Sequence, residues 1–388
     1  MDDLRLGIIG AGARLSITTS AHMPGRGARV VAAADPKPSA LETARARFGQ
    51  DIATSADWRD IIGRTDLDAV FVVTPDFLHE EQAIAALESG KSVFCEKPMA
   101  ISIEGCDRML ATARRTGRRL FIGHNMRYMD FTIKMKEIID RYDIGQVKAI
   151  WVRHFISYGG DAYFKDWHSE RKYSNSLLLQ KGAHDIDIIH WLAGACSTRV
   201  SAFGSLCVYD QAAKRTPEDG PYVRGFFPEN WPPLAQRGMS QVIDVEDLSN
   251  VNMVLANGVL ATYQQCHFTP DACRNYTVIG TRGRLENYGD YGEECTINVW
   301  TTREDRARQP DAVSRMPKPS GDHGGADTRI AQEFVRFARQ GGRTTASAIA
   351  TRNSVAAGCQ ATASLRAGGM PLDVPPPDPE VVRFVDSY

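Results

Sequence analysis

The sequence predicts two successive folds: a doubly wound α/β domain on a parallel sheet, then an α+β domain on an open, mostly antiparallel sheet with flanking helices. Three observations lead there. The first 125 residues alternate short apolar runs with helical spacing. After Tyr128, strands follow one another through short turns such as Ala256-Asn257-Gly258. A length of 388 residues, at roughly 150 per domain, suits two or three domains with separate cores.

The elements follow in order. Residues 4–9 form an apolar run stopped by glycines, as a strand buried on both faces does. Strand 29–34, helix 39–48 and strand 68–73, ended by Thr74 and Pro75, continue the alternation. Helix 79–89, strand 92–95 closed by Pro98, helix 102–116 and strand 119–122 complete it. Helix 131–141 opens the second region, which continues with strand 147–157, helix 183–192 and strands 200–209, 248–255, 259–266, 276–279, 285–287 and 296–301. Helices 327–339 and 346–367 close the chain. Segment 211–241 is rich in proline (Pro217, Pro221, Pro228, Pro232, Pro233) and aromatics, and 303–325 is polar and Gly/Pro-rich. Loops of such length are functional covers or flexible surface.

Composition narrows the function classes. Hydrophobic residues at 43% and charged residues at 24% argue against disorder. Lys plus Arg number 46 against 47 Asp plus Glu, which speaks against a nucleic-acid-binding surface. No apolar stretch approaches the roughly 18 residues that span a bilayer. The Met1-Asp2-Asp3 opening has no basic region, so no secretory leader is expected. Eight cysteines are scattered without a Cys-x-x-Cys pair, and we read them as reduced thiols of a cytoplasmic protein.

Gly10-Ala11-Gly12 ends the first strand and opens a helix. Gly10 permits a tight turn, and Gly12 lets the main chain approach a pyrophosphate at the helix N-terminus. Leu15 stands where a third glycine of the dinucleotide fingerprint would be. Arg14, in the same turn, counts among the cofactor-binding candidates. Asp35 ends the second strand 23 residues after Gly12, where a carboxylate accepts from both ribose hydroxyls of adenosine and repels a 2′-phosphate. NAD is therefore expected over NADP, although Asp35-Pro36 also reads as a helix cap. Thr74, Pro75 and His79 follow the third strand on the carboxyl edge, where such sheets bind ligands. Glu96-Lys97-Pro98 ends the fourth strand on the same edge, where Lys97 can stabilise a developing alkoxide and Glu96 would orient its ammonium.

Together with Gly123-His124-Asn125, Arg127 and His184-Asp185-Ile186-Asp187, these motifs resemble the Gfo/Idh/MocA oxidoreductases, named for glucose–fructose oxidoreductase and inositol dehydrogenase, over essentially the whole chain. The resemblance implies a Rossmann domain over 1–125 and a substrate-binding and oligomerisation domain over 126–388, with C-terminal helix and tail packed back on the first. It implies NAD as cofactor, an active site between the domains, and a homodimer or homotetramer formed through the sheet. Lys97 matches the lysine bridging cofactor and substrate, and His184 the imidazole that moves the hydroxyl proton. Asn125 and Arg127 match residues near the nicotinamide. Trp167 and Arg171 match the family's Trp-Arg segment loosely, with three residues between them.

Gln180 stands where many members carry an Asp, four residues before His184. Lys181 adds a second ammonium, for an anionic sugar or for a carbonyl, unless it faces solvent. The loop residues Tyr158, Trp167, His168 and Arg171 suit a carbohydrate, as rings for C–H faces and polar ends for hydroxyls, though a solvated loop explains the charges equally. Asp187 and His323 are further substrate candidates; a flexible surface loop is the other reading of His323. His184, Asp185, Asp187 and His190 invite a metal, but Asp185 would point elsewhere and Ile186, Ile188, Ile189 and Leu192 read as a buried helix, so no metal is expected. His190 reads as a core histidine. The expected activity is hydride transfer between a sugar or cyclitol carbon and NAD. The alternative is an NAD-dependent glycoside hydrolase working by oxidation, elimination, water addition and reduction. The partner is a small carbohydrate, with no nucleic acid and no membrane.

Overall fold

The computed structural model describes every residue except Met1, Pro221, Arg224, Tyr291, Pro319 and Ser320, so Pro221 of the proline-rich segment lies outside the described residues. The chain divides into two compact units: Met1–Met129 with Ser320–Arg352 and Pro377–Tyr388, and Asp130–Pro319 with Asn353–Pro376.

The first part of the chain runs β1 (Leu4–Ile9), α1 (Leu15–Ala21), β2 (Ala28–Ala34), α2 (Pro38–Phe48), β3 (Ala53–Ser55), α3 (Trp58–Ile62), β4 (Ala69–Val72), α4 (His79–Glu88), β5 (Ser92–Cys95), α5 (Ile103–Thr116) and β6 (Leu120–Ile122). Then come α6 (Asp130–Asp140), β7 (Val147–Phe155), α7 (Gly159–Tyr163), α8 (Arg171–Ser174), α9 (Leu177–Gln180), α10 (Gly182–Ala193), β8 (Ser197–Ser205), β9 (Leu248–Leu255), β10 (Leu260–Cys266), β11 (Cys273–Gly280), β12 (Arg284–Tyr288), β13 (Thr296–Trp300) and β14 (Ala312–Arg315). The chain closes with α11 (Ala326–Gln340), α12 (Ala348–Arg366), β15 (Leu372–Asp373) and α13 (Pro379–Asp386). No helix among the described residues is long and apolar enough to cross a membrane.

In the first unit the strands pair in parallel in the order β3-β2-β1-β4-β5-β6. Chain order reverses at β1, between β2 and β4, and the glycine turn leaves the sheet at that switch point. The three-residue β3 sits at the edge and is too short to show a hydrophobic period, which is why the sequence suggested one strand fewer. The first unit is not one stretch of chain, because α11 and α13 belong to it. The reason is hydrophobic. Phe71, Phe94 and Phe121 stack along one sheet face, and Phe334 of α11 covers them at ring distances of 4.9, 5.5 and 5.8 Å. Arg352, 2% exposed, adds a two-pronged pair to Asp107 at 2.8 and 3.0 Å.

In the second unit the strands order as β14-β13-β12-β11-β7-β10-β9-β8-β15, antiparallel except where β7 meets β10. Alternation along β7 buries Ile150, Val152 and His154 and exposes Trp151 and Arg153. Across β10, β7 and β11 the register aligns Gln265, His154 and Arg274, and two residues away Tyr263, Val152 and Tyr276. The inner face therefore carries a band of polar side chains beneath α10.

The 211–241 segment is anchored rather than loose. Asp161, 2% exposed, accepts from Asn230 Nδ2 at 2.7 Å, the Phe227 N–H at 3.2 Å and Lys165 Nζ at 2.9 Å, while Tyr222 donates to its carbonyl. Tyr209, Ala212 and Met239 join Ile156, Phe164 and Leu177 in one apolar cluster.

Candidate active site

On the first unit the site is built from loops leaving the carboxyl ends of β1, β2, β4, β5 and β6. Gly10 has φ +92°, and a Cβ there would stand 2.8 Å from Thr74 Cγ2 and 2.9 Å from the Val73 carbonyl, so only glycine fits. Nothing lies within 4 Å of where a Cβ on the exposed Gly12 would stand, which leaves open space above the turn for a diphosphate. Asp35 is nearly buried and accepts from the Ala11 N–H at 2.8 Å and the Lys37 N–H at 2.9 Å. A carboxylate has about four lone-pair sites, so Asp35 holds the turn and keeps capacity for ribose hydroxyls. These residues fit a dinucleotide without a 2′-phosphate.

Further along the edge lies a network that the sequence did not announce. Arg14 Nε donates to Glu96 Oε1 at 2.7 Å, and Nη1 donates to Asp327 Oδ2 at 2.9 Å. Glu96 Oε2 accepts from the Lys97 main-chain N–H at 3.0 Å, so this carboxylate braces the turn carrying Lys97. Asn125 Nδ2 donates to Asp327 Oδ1 at 2.9 Å, and His323 Nδ1 lies 3.0 Å from Asp327 Oδ2. Burial opposes the charge on Asp327, yet His323 and Arg14 hold its pKa below the usual carboxylate range. Asp327 was missed because Arg14 and Asn125 lie 313 and 202 residues away in sequence.

Two candidates of this edge take other roles. His79 is fully buried, with Nδ1 2.7 Å from the Pro98 carbonyl and Nε2 2.9 Å from the Thr74 carbonyl. It ties two edge loops together from inside, and burial pushes its pKa down against the pull of the two carbonyls. Arg127, also buried, donates to the Thr345 carbonyl at 2.9 Å and so secures the returning chain. Thr74 and Pro75 are half-buried on the edge, with Thr74 Oγ1 donating to Gln82 at 2.6 Å.

On the second unit, Lys181 caps α10 and His184 sits in its first turn, 7% exposed. A Cβ at Gly182 would stand 3.0 Å from Tyr263 Cε1, so glycine lets α10 lie close to β10. Lys181 Nζ is 5.8 Å from the centre of the half-buried Tyr158 ring. Gln180 is 5% exposed.

Directly beneath, Asp185 is wholly buried and accepts from Arg274 Nε at 2.9 Å, Tyr263 Oη at 3.0 Å and Tyr276 Oη, with His154 Nδ1 at 3.1 Å. Burial disfavours its charge, but Arg274 and His154 hold its pKa below the ordinary value. Asp290, between β12 and β13, stands 3.5 Å from Arg274 Nη1, and burial raises its pKa. The sequence pointed to neither Arg274 nor Asp290.

Three substrate candidates are less available than their residue types suggested. Asp187 is 1% exposed inside α10. His168 is 3% exposed, with Nδ1 2.5 Å from Asp166 Oδ1, Trp167 stacked on it at 3.7 Å and Tyr163 edge-on at 5.3 Å. Arg171 is exposed but pairs with Glu246 at 3.1 Å. His190 Nε2 accepts from the Ser197 N–H at 3.0 Å inside the core. Among the described residues no group of three or more His, Cys, Asp or Glu is arranged to hold a metal ion.

The buried histidines make an acid-stability prediction. His154 and His267 are both pushed from 6.5 down to about 3, chiefly by burial. Each is neutral in the fold and protonated in the unfolded chain below its ordinary pKa, so the unfolded state binds more protons between those values. Stability falls with pH through that window, by up to ~1.4 kcal/mol per pH unit for each histidine. The urea midpoint of the second unit should drop steadily from about pH 7 to about pH 4.5; a flat profile would contradict neutral burial.

Residues 4–124 match the oxidoreductase family's NAD-binding Rossmann fold, and residues 136–374 match its C-terminal alpha/beta domain. The chain is 35% identical over 192 residues to inositol 2-dehydrogenase of Klebsiella pneumoniae, covering 49% of this chain and 54% of that enzyme. It thus spans about half the length of that curated relative. Inositol 2-dehydrogenase of Salmonella typhimurium is 26% identical over 291 residues, 73% of each chain. In fold, levoglucosan dehydrogenase in complex with NADH superposes with a TM-score of 0.78 at 21% identity, covering 97% of this chain and 100% of that one. With both of its domains matched in sequence, this chain belongs to the Gfo/Idh/MocA family of NAD-binding oxidoreductases.

Proposed function

We propose that this protein is an NAD-dependent oxidoreductase that moves a hydride between a hydroxyl-bearing carbon of a sugar or cyclitol and nicotinamide. The observation that carries the reading is one family-matched chain holding two complementary sets of groups. The first unit has an open glycine turn with Asp35 and a braced Glu96-Lys97 turn, and the second has Lys181 and His184 at the start of α10. Relatives named for inositol and levoglucosan support the polyhydroxylated substrate.

Bound NAD would supply the hydride acceptor. His184 accepts the proton of the reacting hydroxyl, as the ring-nitrogen lone pair of a neutral imidazole can. Lys97 donates to the oxygen as negative charge develops on it. Gln180 cannot ionise, so it contributes hydrogen bonds only. Lys181 supplies a cation that a carboxylated, phosphorylated or sulfonated substrate would meet. Held around one reacting carbon, such groups would remove much of the entropic barrier.

The same reading makes the protein a cytoplasmic homodimer or homotetramer. Eight cysteines read as reduced thiols suit a reducing compartment. The outer sheet face leaves Trp151 54%, Phe203 60% and Leu260 58% exposed, apolar area that a second copy would cover.

The test incubates the protein with NAD and a panel of inositols, aldoses and aryl glycosides, neutral and anionic. NADH formed in step with substrate consumed is the expected result. Aglycone release from catalytic NAD without net NADH would replace the reading with redox-neutral hydrolysis.

A further inference from the structure

Asp327 stands out because one buried carboxylate, 3% exposed, joins the loops leaving three different strands. It takes Arg14 from the turn after β1 and Asn125 from the loop after β6, and through Arg14 it reaches Glu96 after β5. Its third direct partner, His323, comes from the stretch leading into α11. A dinucleotide on a doubly wound sheet lies across this same carboxyl edge.

The stretch Gly321–Gly325 reverses direction through Gly321, Gly324 and Gly325, all at positive φ, with His323 itself at φ +48°. A non-glycine residue in this left-handed conformation is uncommon, and here it goes with a histidine ring turned to Asp327. Nδ1 is engaged by Asp327, Nε2 lies across the ring from that contact, and the side chain is 39% exposed. That nitrogen suits a ligand hydroxyl. Ser20 and Thr328 hydrogen-bond at 3.1 Å, fixing the start of α11 beside α1.

We propose that Asp327 and His323 form a latch over the bound dinucleotide: Asp327 clamps the three edge loops together and aims His323 at a hydroxyl of the cofactor, so that the pair sets the rate of cofactor release. This moves His323 from the substrate to the cofactor. The latch depends on the NAD-binding fold and not on the reaction assigned above, so a failed turnover assay leaves it intact.

The test is stopped-flow displacement of prebound NADH by excess NAD, followed by nicotinamide fluorescence, with no substrate present. Asp327→Asn keeps the shape and removes the charge, and should speed NADH release about tenfold or more. His323→Ala should speed it roughly three- to tenfold, and the double variant should exceed the faster single by less than about twofold, because the histidine acts through the carboxylate. A release rate in His323→Ala within about twofold of the parent overturns the latch, as does simple multiplication of the two effects. Circular dichroism and thermal melting check folding. If Asp327→Asn does not fold, the half-exposed His323 decides the matter through His323→Ala and His323→Asn, the latter relaxing the backbone without restoring the contact. Faster release in both supports the latch, and parent-like release in either sinks it.

Discussion

Lys97→Ala lowers kcat by about 10²–10³-fold while leaving NADH affinity within roughly threefold of the parent. The split follows from where each interaction acts. The turn that carries Lys97 is braced by Glu96 through the main-chain N–H and through Arg14, and neither contact needs the lysine side chain. On the proposed reading the cofactor's diphosphate and ribose are served by the Gly10-Ala11-Gly12 turn and Asp35, which the substitution leaves alone. What the substitution would then remove is a cation beside an oxygen whose negative charge grows only as the hydride leaves, and such interactions lower kcat more than they alter binding. Lys97→Arg should recover little, because a planar guanidinium does not reproduce a compact ammonium on a flexible stem. Single-turnover kinetics and a fluorescence titration with NADH measure the two quantities separately. Near-parental kcat in Lys97→Ala would remove the residue from the chemistry.

Asp185→Ala destabilises the second unit by about 3–5 kcal/mol. The carboxylate balances Arg274, which is 4% exposed, and accepts from both Tyr263 and Tyr276. Its removal takes the common acceptor from two hydroxyls and from a guanidinium whose Nη1 still lies 3.5 Å from Asp290, and breaking a buried pair costs more than the pair contributes when intact. The sign of the double variant is informative. Adding Arg274→Met to Asp185→Ala removes the stranded charge and should recover part of the loss. Urea unfolding followed by tyrosine and tryptophan fluorescence gives the midpoint; with two units, the transitions are to be fitted separately. A single variant within about 1 kcal/mol of the parent would show that the cage is not what holds α10 to the sheet.

These two residues were not equally visible in the sequence. Lys97 sits between an apolar strand and a proline, and the strand ends where a parallel sheet presents its ligand edge. Asp185 lies beside His184, and residue type alone suggested a metal ligand pointing elsewhere. Only the register of β10, β7 and β11, which stacks His154, Arg274, Tyr263 and Tyr276 on one face, shows what it does. His79 illustrates the opposite error. Its place after β4 suggested a ligand contact, but its ring turns inward to two carbonyls. A sequence position specifies the edge, whereas the rotamer specifies the side. Likewise α13 begins with a legible signal, Asp378 accepting from the Glu380 N–H ahead of Pro379 at the first helical position, yet the preceding prolines mask it.

By itself the sequence determined what is local: strand and helix periods, the glycine turn, the acid at the end of β2, and hence the parallel sheet and its NAD-binding edge. These are legible because a hydrophobic period or a positive φ is written within a few neighbouring residues. The tertiary structure decided which distant segments complete each unit. Phe334 finds Phe71, Phe94 and Phe121 because a bare aromatic sheet face must be covered, and Asp327 finds the half-buried Arg14 because a buried carboxylate needs a cation. Both pairings depend on burial, which belongs to the folded chain and has no counterpart in a run of letters.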